Sequence, residues 1–337
     1  KYKKAEKYYD SVFGEVETES LPLPDVTGRN PEKGYLERKL AVAEDKILSC
    51  CEKLGVTPNI LFTGVFGILM SRYSNADDSL FSTIYNGRND SRLENTVCML
   101  VKTLPVYCRF EQKTTIQAYM TELSGQLLSS MANDIFPFSD ICAKYGFNSD
   151  LTFAYQAELS DDYPIGDTVA RGHDLSLDMA KMPLLIQVRE YNNEYVLTAE
   201  FRSDMYSDAF VDGMLDAYEA AMDSVLKNKY VSEVSIISEN AVKKIAEFND
   251  TACEYDRTKT ISDRFAEMVQ TIPEHTAVVF KDKKFTYKEL DEISDRLGKY
   301  IASLGIGAED VVSILIPRCE YMAIAPMGVI KAGAAYQ

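Results

Sequence analysis

Acid–base chemistry near neutral pH usually falls to histidine. This chain of 337 residues has two, His173 and His275, far apart in the sequence. His173 sits in a polar stretch and His275 follows Pro273-Glu274, so both are expected as ordinary surface or loop histidines. The seven cysteines (Cys50, Cys51, Cys98, Cys108, Cys142, Cys253 and Cys319) are odd in number and scattered. No Cys-x-x-Cys pair occurs, so neither a disulfide framework nor a zinc site is signalled. Cys50 and Cys51 adjoin within a helical pattern and are expected as core or half-buried thiols. Asp77-Asp78 reads as a solvated turn rather than a metal pair, because no third oxygen ligand clusters near it. Gly305-Ile306-Gly307 opens like a dinucleotide loop, but it follows a helix and lacks the third glycine; a helix C-cap turn is expected. Gly-x-Ser-x-Gly, His-Glu-x-x-His and Walker motifs do not occur. The residues alone therefore indicate no catalytic, cofactor-binding or metal-ligating group.

The elements fall into two grammars. In the first, residues 42–55 have helical spacing and end at Gly55, a C-cap glycine. Thr57 then caps a second helix with Pro58 at its first position. That helix, PNILFTGVFGILMSRYS, is apolar on nearly every side and must be buried. SLFSTIYNG (79–87), TLPVYCRF (103–110) and LTFAYQ (151–156) read as strands, and residues 184–204 as two strands about an Asn192-Asn193 turn. Residues 115–132 form an amphipathic helix, and 207–226 a helix capped by Ser207. A mixed sheet with covering helices is the expected result. From about residue 227 the pattern loosens into an ordered linker with enough apolar residues (Val234, Ile236, Ile237, Ile245 and Phe248) to pack onto a neighbour. From residue 260, helix (262–271), strand TAVVF (276–280), helix (286–305), strand DVVSILIP (310–317) and helix (320–331) alternate as in a parallel α/β sheet, whose last strand is expected beyond Gln337. A sheet so short leaves an unpaired edge, so residues 260–337 are expected to be poorly ordered or to borrow partners.

Composition narrows the partners. Hydrophobic residues make up 46% and the formal net charge is −16. Such a surface is repelled by phosphate backbones and by anionic membranes, so neither nucleic acid nor membrane is an expected partner. There is no signal core and no run of about 18 apolar residues. With its unpaired thiols, a cytoplasmic protein is expected.

Three segments carry a resemblance over residues 1 to about 235. They are residues 57–88 ending in Gly87-Arg88, CMLVKTLPVYCRF (98–110) and NDIFPFSDI (133–141). In this order they are similar to the C-terminal half of a condensation domain of non-ribosomal peptide synthetases. That family has a long buried helix with a strand ending in Gly-Arg, then Gly-x-Phe-Val-Asn-Thr-Leu-Pro, then His/Asn-Gln-Asp-x-Pro-Phe. FTYKEL (285–290) and VIKAGAAYQ (329–337) resemble the first two segments of an adenylation domain of the same synthetases.

The resemblance implies three regions: a condensation C-terminal subdomain over 1–228, an interdomain linker over 229–258, and an adenylation N-terminal portion over 259–337. The implied fold is an α/β sandwich of the chloramphenicol-acetyltransferase (CoA-dependent acyltransferase) type with a mixed sheet, followed by an incomplete α/β adenylation subdomain. The implied activity of the parent is amide-bond formation between carrier-bound thioesters, with phosphopantetheine on carrier domains, and amino-acid activation with ATP and Mg. Implied partners are the N-terminal half of the condensation domain, the remainder of the adenylation domain and peptidyl carrier domains. The family's His-His-x-x-x-Asp-Gly motif belongs to that N-terminal half. No adjacent His pair occurs here, so these residues alone are expected to be inactive and to bind no cofactor.

The residues implied at the acceptor-side tunnel are Gly87, Arg88, Lys102, Asn133, Tyr155 and Gln156. Lys102 stands where the family has Asn, Cys98 where it has Gly, Asn133 where His is commoner and Ser139 where Glu is common. Lys102 is read as facing either the tunnel or solvent, and Arg88 as either flooring the tunnel or closing a turn. Tyr155 shares a face with Phe153, opposite Gln156, and reads as either core or tunnel. Two rival functions stay open: a non-catalytic docking platform for carrier and adenylation domains, and a CoA-dependent acyltransferase. Residues 260–337 weigh against the latter.

Overall fold

The computed structural model describes the whole chain except residues 18–19, 29–30, 89–90, 94–95, 112, 148–149, 158–161, 172–177 and 192–193. His173 and the Asn192-Asn193 turn therefore lie outside the described residues. The chain divides into two compact units, Lys1–Asp250 and Thr251–Gln337.

The first unit runs α1 (Tyr2–Phe13), β1 (Lys33–Lys39), α2 (Glu44–Leu54), α3 (Pro58–Tyr73), β2 (Asp78–Tyr85), β3 (Lys102–Arg109), α4 (Ile116–Ala132), α5 (Phe138–Tyr145), β4 (Leu151–Gln156), β5 (Asp162–Ile165), β6 (Thr168–Arg171), β7 (Leu184–Tyr191), β8 (Glu194–Arg202), α6 (Asp208–Val225) and α7 (Glu239–Asn249). Six strands form one mixed sheet in the order β1-β8-β7-β4-β2-β3. The central strands β2, β4 and β7 are parallel, with Thr83 opposite Phe153 and Phe153 opposite Ile186. The flanking pairs are antiparallel, β7 with β8 included, as the hairpin reading requires.

α3 forms where the sequence places it. Gly55 takes the left-handed conformation (φ 70), and the Thr57 side chain accepts from the amide of Ile60. The helix is buried against β2 and β4: Phe66 stacks on Phe153 at 4.9 Å and meets Phe81 edge-on at 4.9 Å. Gly67 admits the close approach of β3, since a Cβ there would lie 2.7 Å from Cys108 Sγ. α6 packs alongside, capped by Ser207, whose hydroxyl accepts from the amide of Phe210 at 3.1 Å.

Several elements carry no clear signal in the sequence. α1 carries Ala5, Tyr9 and Phe13 on one buried stripe, where they join Leu80, Phe136 and Ile141 in a second cluster. β1 is an edge strand with an alternating, largely polar sequence. α5 is short, and β5 and β6 form a separate antiparallel pair. Residues 229–236, expected as linker, are built into the first unit: Val231 and Val234 are buried in its core, and Thr115 bridges Tyr230.

The second unit contains α8 (Ile261–Thr271), β9 (Thr276–Phe280), β10 (Lys283–Thr286), α9 (Tyr287–Ser303), β11 (Val311–Val312), α10 (Tyr321–Lys331) and β12 (Ala335–Tyr336). Its helices follow expectation, α9 opening with a capping box between Thr286 and Glu289. Its sheet does not. β9 pairs antiparallel with β10, a short strand that the alternation of helix and strand does not announce. The expected strand over 310–317 shrinks to Val311–Val312, which pairs parallel with β12, a short strand that the alternation does not announce. Ile314 adds one bond to the Gln337 carbonyl, at 2.8 Å, and Leu315 is fully exposed beside Pro317, which has no N–H to pair. Among the described residues, no single helix is long and apolar enough to cross a membrane.

Candidate functional site

Parallel pairing puts the last residues of β2, β4 and β7 on one edge of the sheet, the carboxyl edge, where open α/β sheets place their ligands. All six residues singled out from the sequence lie on elements that end or begin there.

β2 ends at Tyr85, directly opposite Lys102, the first residue of β3. Gly87 follows with φ +68, and a Cβ there would lie 1.9 Å from the Leu100 carbonyl oxygen. Only glycine fits this turn. Arg88 spends its guanidinium on backbone: Nη2 donates to the carbonyls of Thr96 (3.2 Å) and Cys98 (3.3 Å), and its amide donates to Asn86 Oδ1 at 3.0 Å. It ties the segment leaving β2 to the segment entering β3.

Lys102 points neither into open solvent nor at an unpaired site. Its ammonium lies 2.9 Å from Asp134 Oδ2 and also donates to the Asp134 carbonyl at 3.3 Å. Tyr85 donates its hydroxyl to the same carboxylate. Asn133 ends α4, its side-chain amide donating to the Ser129 carbonyl at 2.8 Å. Lys102 thus shares Asp134 with Tyr85, while Gly87 and Arg88 follow Tyr85 in the chain and Asn133 precedes Asp134. Sequence reasoning missed both Tyr85 and Asp134. Asp134 is 49 positions from Tyr85, and no local pattern links them.

Tyr155 and Gln156 end the neighbouring strand. Tyr155 lies on the α3 side, its ring stacked 5.7 Å from that of Phe62, and its hydroxyl donates to Glu190 Oε2 at 2.8 Å. Burial first, then the hydrogen bond to Glu190, push the Tyr155 phenol well above its ordinary range. It stays protonated as a fixed donor. Gln156 faces the other way and is exposed, as the alternation requires.

The described groups at this edge are hydrogen-bonding side chains, a neutralised ammonium and a fixed phenol. The carboxylates among them, Asp134 and Glu190, each accept a hydrogen bond from a tyrosine hydroxyl. The buried thiols are poor nucleophiles, since burial raises Cys51 to about 11 and Cys108 to about 12. Among the described residues, no group of three ligating side chains could hold a metal ion.

Residues 1–246 match the family model described as "Condensation domain", and residues 265–337 match the one described as "AMP-binding enzyme". Gramicidin S synthase 2 of Brevibacillus brevis is 26% identical over 349 residues, covering 99% of this chain and 8% of that protein. The chain thus spans under a tenth of that relative's length. A four-domain nonribosomal peptide synthetase, holo-AB3403 bound to AMP and glycine, superposes with a TM-score of 0.70 at 15% identity, covering 99% of this chain and 27% of that one. The first condensation domain of the calcium-dependent antibiotic synthetase, in complex with substrate analogue 3a, superposes with a TM-score of 0.54 at 13% identity, over 70% of this chain and 53% of that one. These two structural likenesses concern fold alone.

Proposed function

We propose, from the premise that this chain belongs to the condensation domain family over residues 1–246, that it forms the acceptor-side wall of an amide-forming site in a nonribosomal peptide synthetase module. The carboxyl edge carrying Lys102–Asp134, Tyr85, Asn133, Arg88 and Tyr155 receives the aminoacyl arm. The acceptor amine attacks the donor thioester carbonyl; a C–N bond forms, the C–S bond breaks, and the amine's proton ends on the departing thiol. The base for that proton belongs to the N-terminal half of the condensation domain, which is proposed as the partner of this edge. Carrier domains bring both substrates on phosphopantetheine arms.

The observation that carries this reading is the convergence of three family segments at one sheet edge, where Tyr85 and Lys102 pair across β2 and β3 and both bind Asp134, the residue after Asn133. The match of this chain to about half of a single condensation domain supports assigning it to one half of such a domain. Residues 259–337 are proposed as the opening of an amino-acid-activating domain, a reading supported by the family match over 265–337.

The test is the gene itself. A His-His-x-x-x-Asp-Gly segment is expected within about 200 residues upstream, roughly one large domain. Its absence there would overturn the proposal.

A further inference from the structure

We infer that Asp134 is a positioning residue that holds the two segments at the carboxyl edge in register. This inference rests on the acceptor-site reading above only for what the edge binds. Asp134 sits just beyond α4 and gathers three elements at one carboxylate. Tyr85 reaches it from the last residue of β2, and Lys102 from the first residue of β3, at 2.9 Å. The two donors are themselves a cross-strand pair. One carboxylate therefore clamps the point at which β2 and β3 part.

The two segments beyond that point depend on the clamp. Asn86–Arg88 and Thr96–Val101 run beside each other. They are joined by Arg88 to the carbonyls of Thr96 and Cys98, and by the close passage of Gly87 over the Leu100 carbonyl. Val97 and Met99 are almost wholly exposed and Leu100 is half-buried, so little burial of apolar surface holds this segment in place. Polar contacts must do it, and the carboxylate is at their base.

The pair is ionic where the resembled segments carry amides. Lys102 stands at the Asn before Thr-Leu-Pro, and Asp134 at the Gln of His/Asn-Gln-Asp-x-Pro-Phe. Two departures from the pattern, 32 positions apart, thus meet in one contact. Each alone would leave a charge facing an amide. Together they neutralise, and the geometry of the clamp is kept.

Hydrogen exchange on this chain tests the clamp directly. In Asp134→Ala and in Tyr85→Phe, amides over 96–101 are expected to exchange at least tenfold faster, while those of α6 do not change. Unchanged exchange over 96–101 in both variants overturns the inference. If Asp134→Ala does not fold, Tyr85→Phe, which keeps the ring, decides alone. The second arm uses the full-length synthetase. Asp134→Gln and Lys102→Asn are each expected to raise the KM for the aminoacyl acceptor about tenfold with little change in kcat. The double variant K102N/D134Q, which replaces the ion pair with two amides, is expected to return to within about threefold of wild type. A double variant no better than the worse single one overturns the inference. If the wild-type synthetase forms no amide at all, the proposed function falls, and the exchange arm still decides the role of Asp134.

Discussion

Asp216 and Glu219 lie one turn apart on α6, and their carboxyl groups are driven in opposite directions. Burial acts against ionisation of both. At Asp216 it is outweighed by hydrogen bonds from Asn240 and Arg38, and the carboxyl is held below its ordinary value of 3.8. At Glu219 burial prevails over the nearby Arg38, and the carboxyl is pushed above its ordinary value of 4.5. Glu219 Oε1 is buried without a hydrogen-bond partner.

The two carboxyls therefore predict opposite effects on stability. A depressed pKa stabilises above the unfolded value and loses that contribution as pH falls through the folded one. Asp216→Asn is expected to cost about 1–2 kcal/mol at pH 7, a difference that vanishes in acid. A raised carboxyl pKa destabilises at neutral pH, and the penalty disappears as pH falls through the folded value to below 4.5. Glu219→Gln is expected to stabilise at pH 7 and to match wild type below the ordinary value. Urea midpoints from pH 3 to 8 measure both.

At the centre of the core, Tyr218 donates its hydroxyl to the Phe62 carbonyl at 2.9 Å, tying α6 to α3. Tyr218→Phe keeps the ring and removes one buried bond. A loss of about 1 kcal/mol is expected by denaturant unfolding. Phe66→Ala, which empties the space between Phe81 and Phe153, is expected to cost about 3–5 kcal/mol.

Gly87 combines a left-handed φ with a carbonyl in the path of any Cβ. Gly87→Ala is expected to destabilise by about 1–3 kcal/mol and to disturb amides over 96–101 more than those of α3. Equal stability of variant and wild type would contradict the turn geometry.

The second unit holds its strands in two separate two-stranded pairs, β9 with β10 and β11 with β12. Pairs of that size are marginal on their own. Their amides are expected to exchange faster than those of β2, β4 and β7. Equal protection in an isolated monomer would contradict this.

Much of the helical scaffold was legible because the longer helices announce their ends. Gly55, Thr57 and Pro58 bound α3, Ser207 opens α6, and Thr286 with Glu289 opens α9. The elements that were missed lack such signals. α1 buries tyrosine within a lysine-rich segment, so its stripe reads as polar. β1 is an edge strand whose outward residues, Tyr35 and Glu37, conceal the alternation. β11 depends on β12, a partner distant in sequence that local pattern cannot name, while β10 folds back on its neighbour β9 in a hairpin that the alternation of helix and strand hides.

The site was legible only in part, and for the same reason. Gly87, Arg88, Lys102 and Asn133 stand in segments whose order carries a family resemblance. Asp134 was in view within NDIFPF, but its role comes from Tyr85 and Lys102, which the fold alone brings to it. The reading of Arg88 also gained content, because its guanidinium closes a backbone turn.

The proposed role of this edge is to receive an aminoacyl acceptor for amide formation. Single-turnover condensation by the full-length synthetase tests it most directly, with donor and acceptor arms loaded on their carriers and the product read by mass spectrometry. One new amide joining donor acyl to acceptor amine is expected. A loaded wild-type synthetase that leaves both thioesters unreacted would contradict it.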